Sequence, residues 1–212
     1  MRKLKVKVGD ASVSAAFHPG DGPVLVLAHG AGGDMDGPFL VSAAETLASR
    51  GIGCLRFNFV YREMGKKAPD RAALLSEAWR AAYAKAAELG GPVWAGGKSM
   101  GGRYASMLAA DGDIDPPGLV FFGYPLHPPG KPERIRDEHL YGLRIPMLFI
   151  QGTGDPFAKP DLLAPVLERL GKRATLHEVE GGDHSFRVRG QPKDDAEAGR
   201  RLGDVAASFI RG

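Results

Sequence analysis

From residue 24 onward, short strand-like runs alternate with longer segments of helical periodicity. Val24–Ala28 (V-L-V-L-A) carries no polar residue, the pattern of a strand covered on both faces. Further strand signals stand at 53–57, 93–95, 118–122, 146–151 and 174–179. Helical patterns fall between them at 38–50, 70–90, 99–110 and 161–170, with a final amphipathic helix at 196–210. Such alternation requires crossover connections, and so a mostly parallel, doubly wound sheet with helices on both faces. Residues 4–8 and 12–17 read differently. They alternate in polarity around Gly9-Asp10 and predict an antiparallel hairpin ahead of the parallel strands.

The long helix is expected to start at an Asp70 N-cap. Leu75, Trp79, Ala82, Tyr83 and Ala86 then share one face and are read as core. At 212 residues the chain is expected to be one domain, 1–212. Its net charge of +3 is spread without a basic block beyond Lys66-Lys67 and the first seven residues, which argues against a nucleic-acid partner. No apolar run is long enough to span a bilayer, and the N-terminus lacks the apolar core of a signal peptide. A cytoplasmic protein with no membrane association is therefore expected. Cys54 is the only cysteine and lies in an apolar run, so it is read as a buried thiol. No cofactor is expected, and no metal site, since the acidic and histidine residues lack a recognised zinc spacing.

The chemistry-bearing feature is Gly97-Lys98-Ser99-Met100-Gly101, a G-x-S-x-G placed between a strand and a helix. That context suits a sharp turn that lifts the serine hydroxyl into the open, with glycines where strand and helix crowd. The competing reading is a phosphate-binding turn. Gly97-Lys98-Ser99 would end such a motif, but Pro92 stands where its first glycine belongs. A serine nucleophile needs a base, and the base needs a carboxylate to orient it. Asp155 follows the 146–151 strand, and His184 follows the 174–179 strand. Parallel strands bring these ends to one edge, where Ser99, His184 and Asp155 can meet as nucleophile, base and orienting acid. The alternative for Asp155 is a helix cap near Pro160. Asp183, adjacent to His184, should point elsewhere.

The glycine turn His29-Gly30-Ala31-Gly32-Gly33 follows the strand at 24–28. Its backbone N–H groups, with that of Met100, suit an oxyanion hole. Ala31 and Met100 are the assigned donors, with Gly30 and Gly32 left open. His29 is read as orienting its own loop. His18 and His139 are expected at the surface, and His177 is expected to be structural. Two residues are candidate substrate contacts: Arg62 for an anionic group, and His127, for which a structural role in its proline-rich turn is the equal alternative.

Together, H-G-A-G-G, G-K-S-M-G-G, G-T-G-D and G-G-D-H resemble the α/β-hydrolase superfamily over residues 24–210. Within it the chain looks like the small, lidless dienelactone-hydrolase-like branch. Residues 57–62 (F-N-F-V-Y-R) and 123–132 (G-Y-P-L-H-P-P-G-K-P) resemble a narrower group, proteins related to testis-expressed protein 30 and to a regulatory subunit of a histone acetyltransferase complex. Dienelactone hydrolases use a cysteine nucleophile where this chain has Ser99, so their substrate does not carry over. The resemblance implies a serine hydrolase acting on a small soluble carboxylic ester or thioester through an acyl-enzyme. The narrower group also implies the alternative of a catalytically silent module that binds a protein partner.

Overall fold

The computed structural model describes residues 1–212. One eight-stranded sheet organises the chain, with strands β1 (Arg2–Val8), β2 (Ala11–His18), β3 (Val24–Ala28), β4 (Gly53–Phe57), β5 (Val93–Lys98), β6 (Leu119–Phe122), β7 (Met147–Gly152) and β8 (Ala174–Val179). Their spatial order is β1-β2-β4-β3-β5-β6-β7-β8. β1 and β2 form an antiparallel hairpin that joins β4 antiparallel, and every later pairing is parallel. The exposed β1 edge carries Lys3, Lys5 and Lys7, charges that discourage edge-to-edge association.

Helices α1 (Pro38–Ser49) and α6 (Asp195–Arg211) pack together on one face of the sheet. Gly199 and Gly203 of α6 face the α1 backbone at Phe39 and Ala43, leaving no room there for a side chain. Helices α3 (Ala72–Ala87), α4 (Met100–Ala110) and α5 (Pro160–Leu170) cover the other face, over Val26, Phe57, Phe121 and Phe149. All five β3 residues are buried, as their continuous apolarity required, and so are all five β4 residues, Arg56 included. No helix is long and apolar enough to cross a membrane.

Several boundaries and roles differ from expectation. β5 extends three residues past Ala95, through Gly96 and Gly97 to Lys98. These glycines look like turn formers, yet a Cβ on Gly96 would lie 2.5 Å from the Val120 carbonyl oxygen, so the glycine serves close strand packing. The N-cap of α3 is Arg71, because the Asp70 carboxylate instead accepts the Tyr61 N–H at 2.8 Å. Residues 58–69 contain a single helical turn, α2 (Val60–Glu63), which the charge-rich composition concealed. His18 is buried, with Nε2 3.2 Å from Nη2 of the equally buried Arg56. His139 is half-buried against Ser106 and Tyr124.

β4 and β5 leave β3 on opposite sides. This is the place in a doubly wound sheet where loops diverge and open a crevice at the carboxyl ends of the strands. The turns after β3, β5, β7 and β8 all converge there.

Candidate active site

Ser99 sits between β5 and α4 with φ 51° and ψ −117°, one of two non-glycine residues at positive φ. The turn is enforced from below. A Cβ on Gly97 would lie 2.7 Å from the Ala28 carbonyl oxygen, and one on Gly101 would lie 2.5 Å from the same oxygen. The strand-to-helix reversal closes only without those side chains, and the strain falls on Ser99.

The Ser99 hydroxyl is 2.8 Å from Nε2 of His184, and Nδ1 of His184 is 2.7 Å from Oδ2 of Asp155. The three residues singled out as nucleophile, base and acid are thus brought into one hydrogen-bonded line across 85 residues of chain. Asp155 is fully buried. Its Oδ1 accepts the Phe157 N–H at 2.8 Å, and its Oδ2 accepts from Nε2 of Gln151 at 2.5 Å. Gln151 is held in turn by the Tyr124 N–H, which donates to its Oε1 at 2.9 Å. With the Gln151 amide directed this way, Asp155 receives two donors besides the imidazole and keeps one orientation. Asp183 turns away, capping the N–H groups of Ser185 and Arg187.

The glycine turn after β3 is clamped from several sides. Buried His29 donates from Nδ1 to the Gly30 carbonyl at 2.8 Å and accepts the Phe59 N–H on Nε2 at 3.2 Å. That pattern requires a neutral ring, and burial lowers its pKa to about 4. The Tyr61 hydroxyl donates to the Ala31 carbonyl at 2.9 Å, and the Asn58 side chain accepts the Met35 N–H at 2.9 Å. Arg62 pairs with Asp34 at 3.0 Å. Burial works against ionising Asp34, but the Arg62 guanidinium and the Asp36 N–H outweigh it and hold the carboxyl below its usual range. The backbone N–H groups of Ala31 and Met100 have no acceptor within the chain.

A cavity of about 490 Å³ opens over these groups, lined by the glycine turn, Phe39, Leu40, Phe157, Ser99, His184 and Lys98 among others. Residues 123–146 do not cover it. They fold back onto the body of the protein, with Leu126, Leu140 and Leu143 in the core. Arg62 and His127, the candidate substrate contacts, do not line this cavity. The Arg62 guanidinium is engaged by Asp34 and the Lys66 carbonyl. His127 is buried and donates from Nδ1 to the Pro128 carbonyl at 2.9 Å. Gln151, Tyr61 and Asn58 belong to the site but were not singled out in the sequence. Only the placement of Gln151, four residues before Asp155, offered a local signal.

A second serine–histidine pair lacks these properties. Ser106 is 2.9 Å from Nε2 of His139, but it lies within α4, is fully buried, and also bonds the Arg103 carbonyl. No carboxylate reaches the His139 ring, whose remaining neighbour is the Tyr124 hydroxyl.

Comparison with known proteins agrees with the architecture. Residues 21–211 match the family described as alpha/beta hydrolase domain. Among solved structures, the fold is similar to a lidless α/β serine hydrolase from Xanthomonas campestris, with a TM-score of 0.74, 20% identity, and coverage of 98% of this chain and 94% of that one. A dienelactone hydrolase from Anabaena variabilis gives a TM-score of 0.75 at 20% identity, covering 99% of this chain and 96% of that one. An α/β serine hydrolase homologue from Coxiella burnetii gives 0.75 at 15% identity, covering 99% and 97%. These likenesses speak to the fold, and the Xanthomonas structure is described as a serine hydrolase without a lid. With nine-tenths of its length matched to the family, the chain belongs to the α/β hydrolases.

Proposed function

We propose that this single-domain protein is a serine hydrolase of small, soluble carboxylic esters or thioesters. The observation that carries the reading is the continuous line from Gln151 through Asp155 and His184 to Ser99, ending at a nucleophile raised on a strained turn beside an open cavity. Ser99 Oγ attacks the substrate carbonyl while His184 Nε2 takes its proton, and Asp155 holds the resulting imidazolium. The oxyanion is received by the N–H groups of Ala31 and Met100, whose lack of internal acceptors supports this role. His184 then returns the proton to the departing alcohol or thiol, leaving an acyl-enzyme. Water, deprotonated by His184, attacks that ester and regenerates Ser99. A cavity of about 490 Å³ without a lid suits a modest soluble substrate rather than a lipid interface.

The resemblance of residues 57–62 and 123–132 to the testis-expressed protein 30 group keeps a second reading in the test, a silent module that binds a protein partner. Labelling with a fluorophosphonate probe, followed by peptide mapping, separates the two. A single adduct on Ser99, absent from Ser99→Ala and suppressed in His184→Ala, is the expected result. A folded wild type that takes no label and turns over no member of an ester and thioester panel refutes the hydrolase and favours the module.

A further inference from the structure

Lys98 precedes the nucleophile, and nothing in the reaction described above uses it. Its side chain leaves the end of β5 and crosses to the loop after β8, where Nζ donates to the backbone carbonyl of His184, 86 residues away. The contact is closely fitted. A Cβ on Gly123 would lie 3.4 Å from Lys98 Nζ, 3.4 Å from the His184 carbonyl oxygen and 3.5 Å from the His184 ring at Cε1. Gly123, at φ 72°, leaves the space in which the ammonium meets the histidine. Aromatic faces bound it elsewhere, with the Phe186 centroid 4.7 Å and the Phe39 centroid 6.0 Å from Nζ.

No carboxylate pairs with Lys98 directly, since Asp155 is engaged by His184 and Gln151, Asp183 by its own loop, and Asp195 by Arg187. Burial is the largest influence on the ammonium and lowers its pKa to about 8, against the opposing fields of those three aspartates, with Arg187 adding to the lowering. A partly buried lysine with a backbone carbonyl as its one hydrogen-bond acceptor is costly to place, and the group it grips carries the base.

We infer that Lys98 is a positioning residue, a strut from the nucleophile turn to the His184 carbonyl that sets where the imidazole stands relative to Ser99. The inference rests on the serine-hydrolase reading for its consequence in turnover, but not for its geometry. Strand β5 presents Ser99 from one side, and the loop after β8 brings His184 from the other. Apart from the Ser99–His184 contact itself, Lys98 is the side chain that joins the two backbones directly. A charge-assisted hydrogen bond is about twice as strong as a neutral one, so its loss should cost tenfold or more in a rate that depends on Ser99–His184 geometry.

The test compares wild type with Lys98→Met, near in length but without donor or charge, and Lys98→Arg, which keeps both. Three quantities are read: the second-order rate of fluorophosphonate labelling, kcat and KM on a p-nitrophenyl ester, and the far-downfield proton resonance of the His184 Nδ1–H shared with Asp155. Lys98→Met should fold with an unreduced thermal midpoint, because a costly buried charge has gone. It should label at least about tenfold more slowly and lose kcat by a similar factor with KM within about twofold, and its downfield resonance should broaden or vanish. Lys98→Arg should restore the resonance and most of the rate. If Lys98→Met does not fold, Lys98→Gln replaces it under the same criteria. Wild-type labelling and an intact resonance in the neutral variant overturn the strut. A loss confined to KM also overturns it, placing Lys98 on the substrate instead. An unlabelled wild type sinks the hydrolase reading separately, while the resonance still reports whether Lys98 holds His184.

Discussion

Acid should destabilise the fold through the glycine turn, and His29 sets how much. Its ring is 1% exposed, donates from Nδ1 and accepts on Nε2, so the native state requires the neutral form. Burial lowers its pKa from 6.5 to about 4. The unfolded chain therefore binds a proton that the folded chain refuses, and the associated stability, present above the unfolded value, is lost as pH falls from 6.5 through 4. At about 1.36 kcal/mol per pH unit, the 2.5-unit gap corresponds to roughly 3.4 kcal/mol at full protonation, and about 2 kcal/mol is already lost at pH 5. The assay is urea unfolding of wild type and His29→Gln between pH 7.5 and 4.5. The glutamine amide can accept the Phe59 N–H and donate to the Gly30 carbonyl without titrating. Wild type should lose about 2 kcal/mol more than the variant between pH 7.5 and 5, the difference cancelling the other histidines. In the folded protein an imidazolium would present an N–H to the Phe59 N–H, so activity lost through this clamp should appear only as pH approaches the folded-state value of about 4, below the range in which stability falls. Parallel pH profiles for the two proteins would refute both the neutral assignment and the clamp.

Other perturbations address the supports around the site. Tyr61→Phe removes the hydroxyl from the Ala31 carbonyl, and kcat should fall about tenfold with KM nearly unchanged in steady-state ester kinetics. Gln151→Leu strips a donor from Asp155 and leaves the buried Tyr124 N–H unpaired. We expect a loss of about 1–3 kcal/mol by urea unfolding and a fall in kcat of at least tenfold. Gly199→Ala forces a methyl onto the Phe39 carbonyl between α6 and α1. The strain outweighs the gain in helix propensity, so calorimetry should show the thermal midpoint lower by about 2–6 °C.

What could be read in the sequence was local or periodic. The core strands were legible because burial on both faces forces continuous apolarity, as in Val24–Ala28. Ser99 was legible because its turn needs glycine on both sides within five residues, and Asp155 and His184 because each follows a strand whose end topology carries to the same edge. The supports were not legible, because each depends on a long-range meeting that leaves no periodic trace. Lys98 meets a carbonyl 86 residues away, Tyr61 one 30 residues away, and Gln151 an N–H 27 residues away. Arg62 stood out as a free charge in a loop, and only the fold delivers Asp34 to it. His18, a histidine beside a loop, looked exposed until β4 brought Arg56 alongside.

This division has a physical consequence. The groups of the proposed mechanism lie on loops, and each is pinned by other residues: Ser99 by Gly97 and Gly101, Asp155 by Gln151, the glycine turn by His29 and Tyr61, and the His184 backbone by Lys98. Hydrogen-bond donors aimed at a developing charge act at full strength only if they do not reorganise when it appears. On the proposed mechanism Ser99, His184 and Asp155 supply the reacting atoms, and the pinning residues determine how closely they keep their places. Exchanging a pin should change kcat while leaving the fold and KM in place. Exchanging cavity-wall residues such as Leu40 or Phe157 should change which ester is preferred.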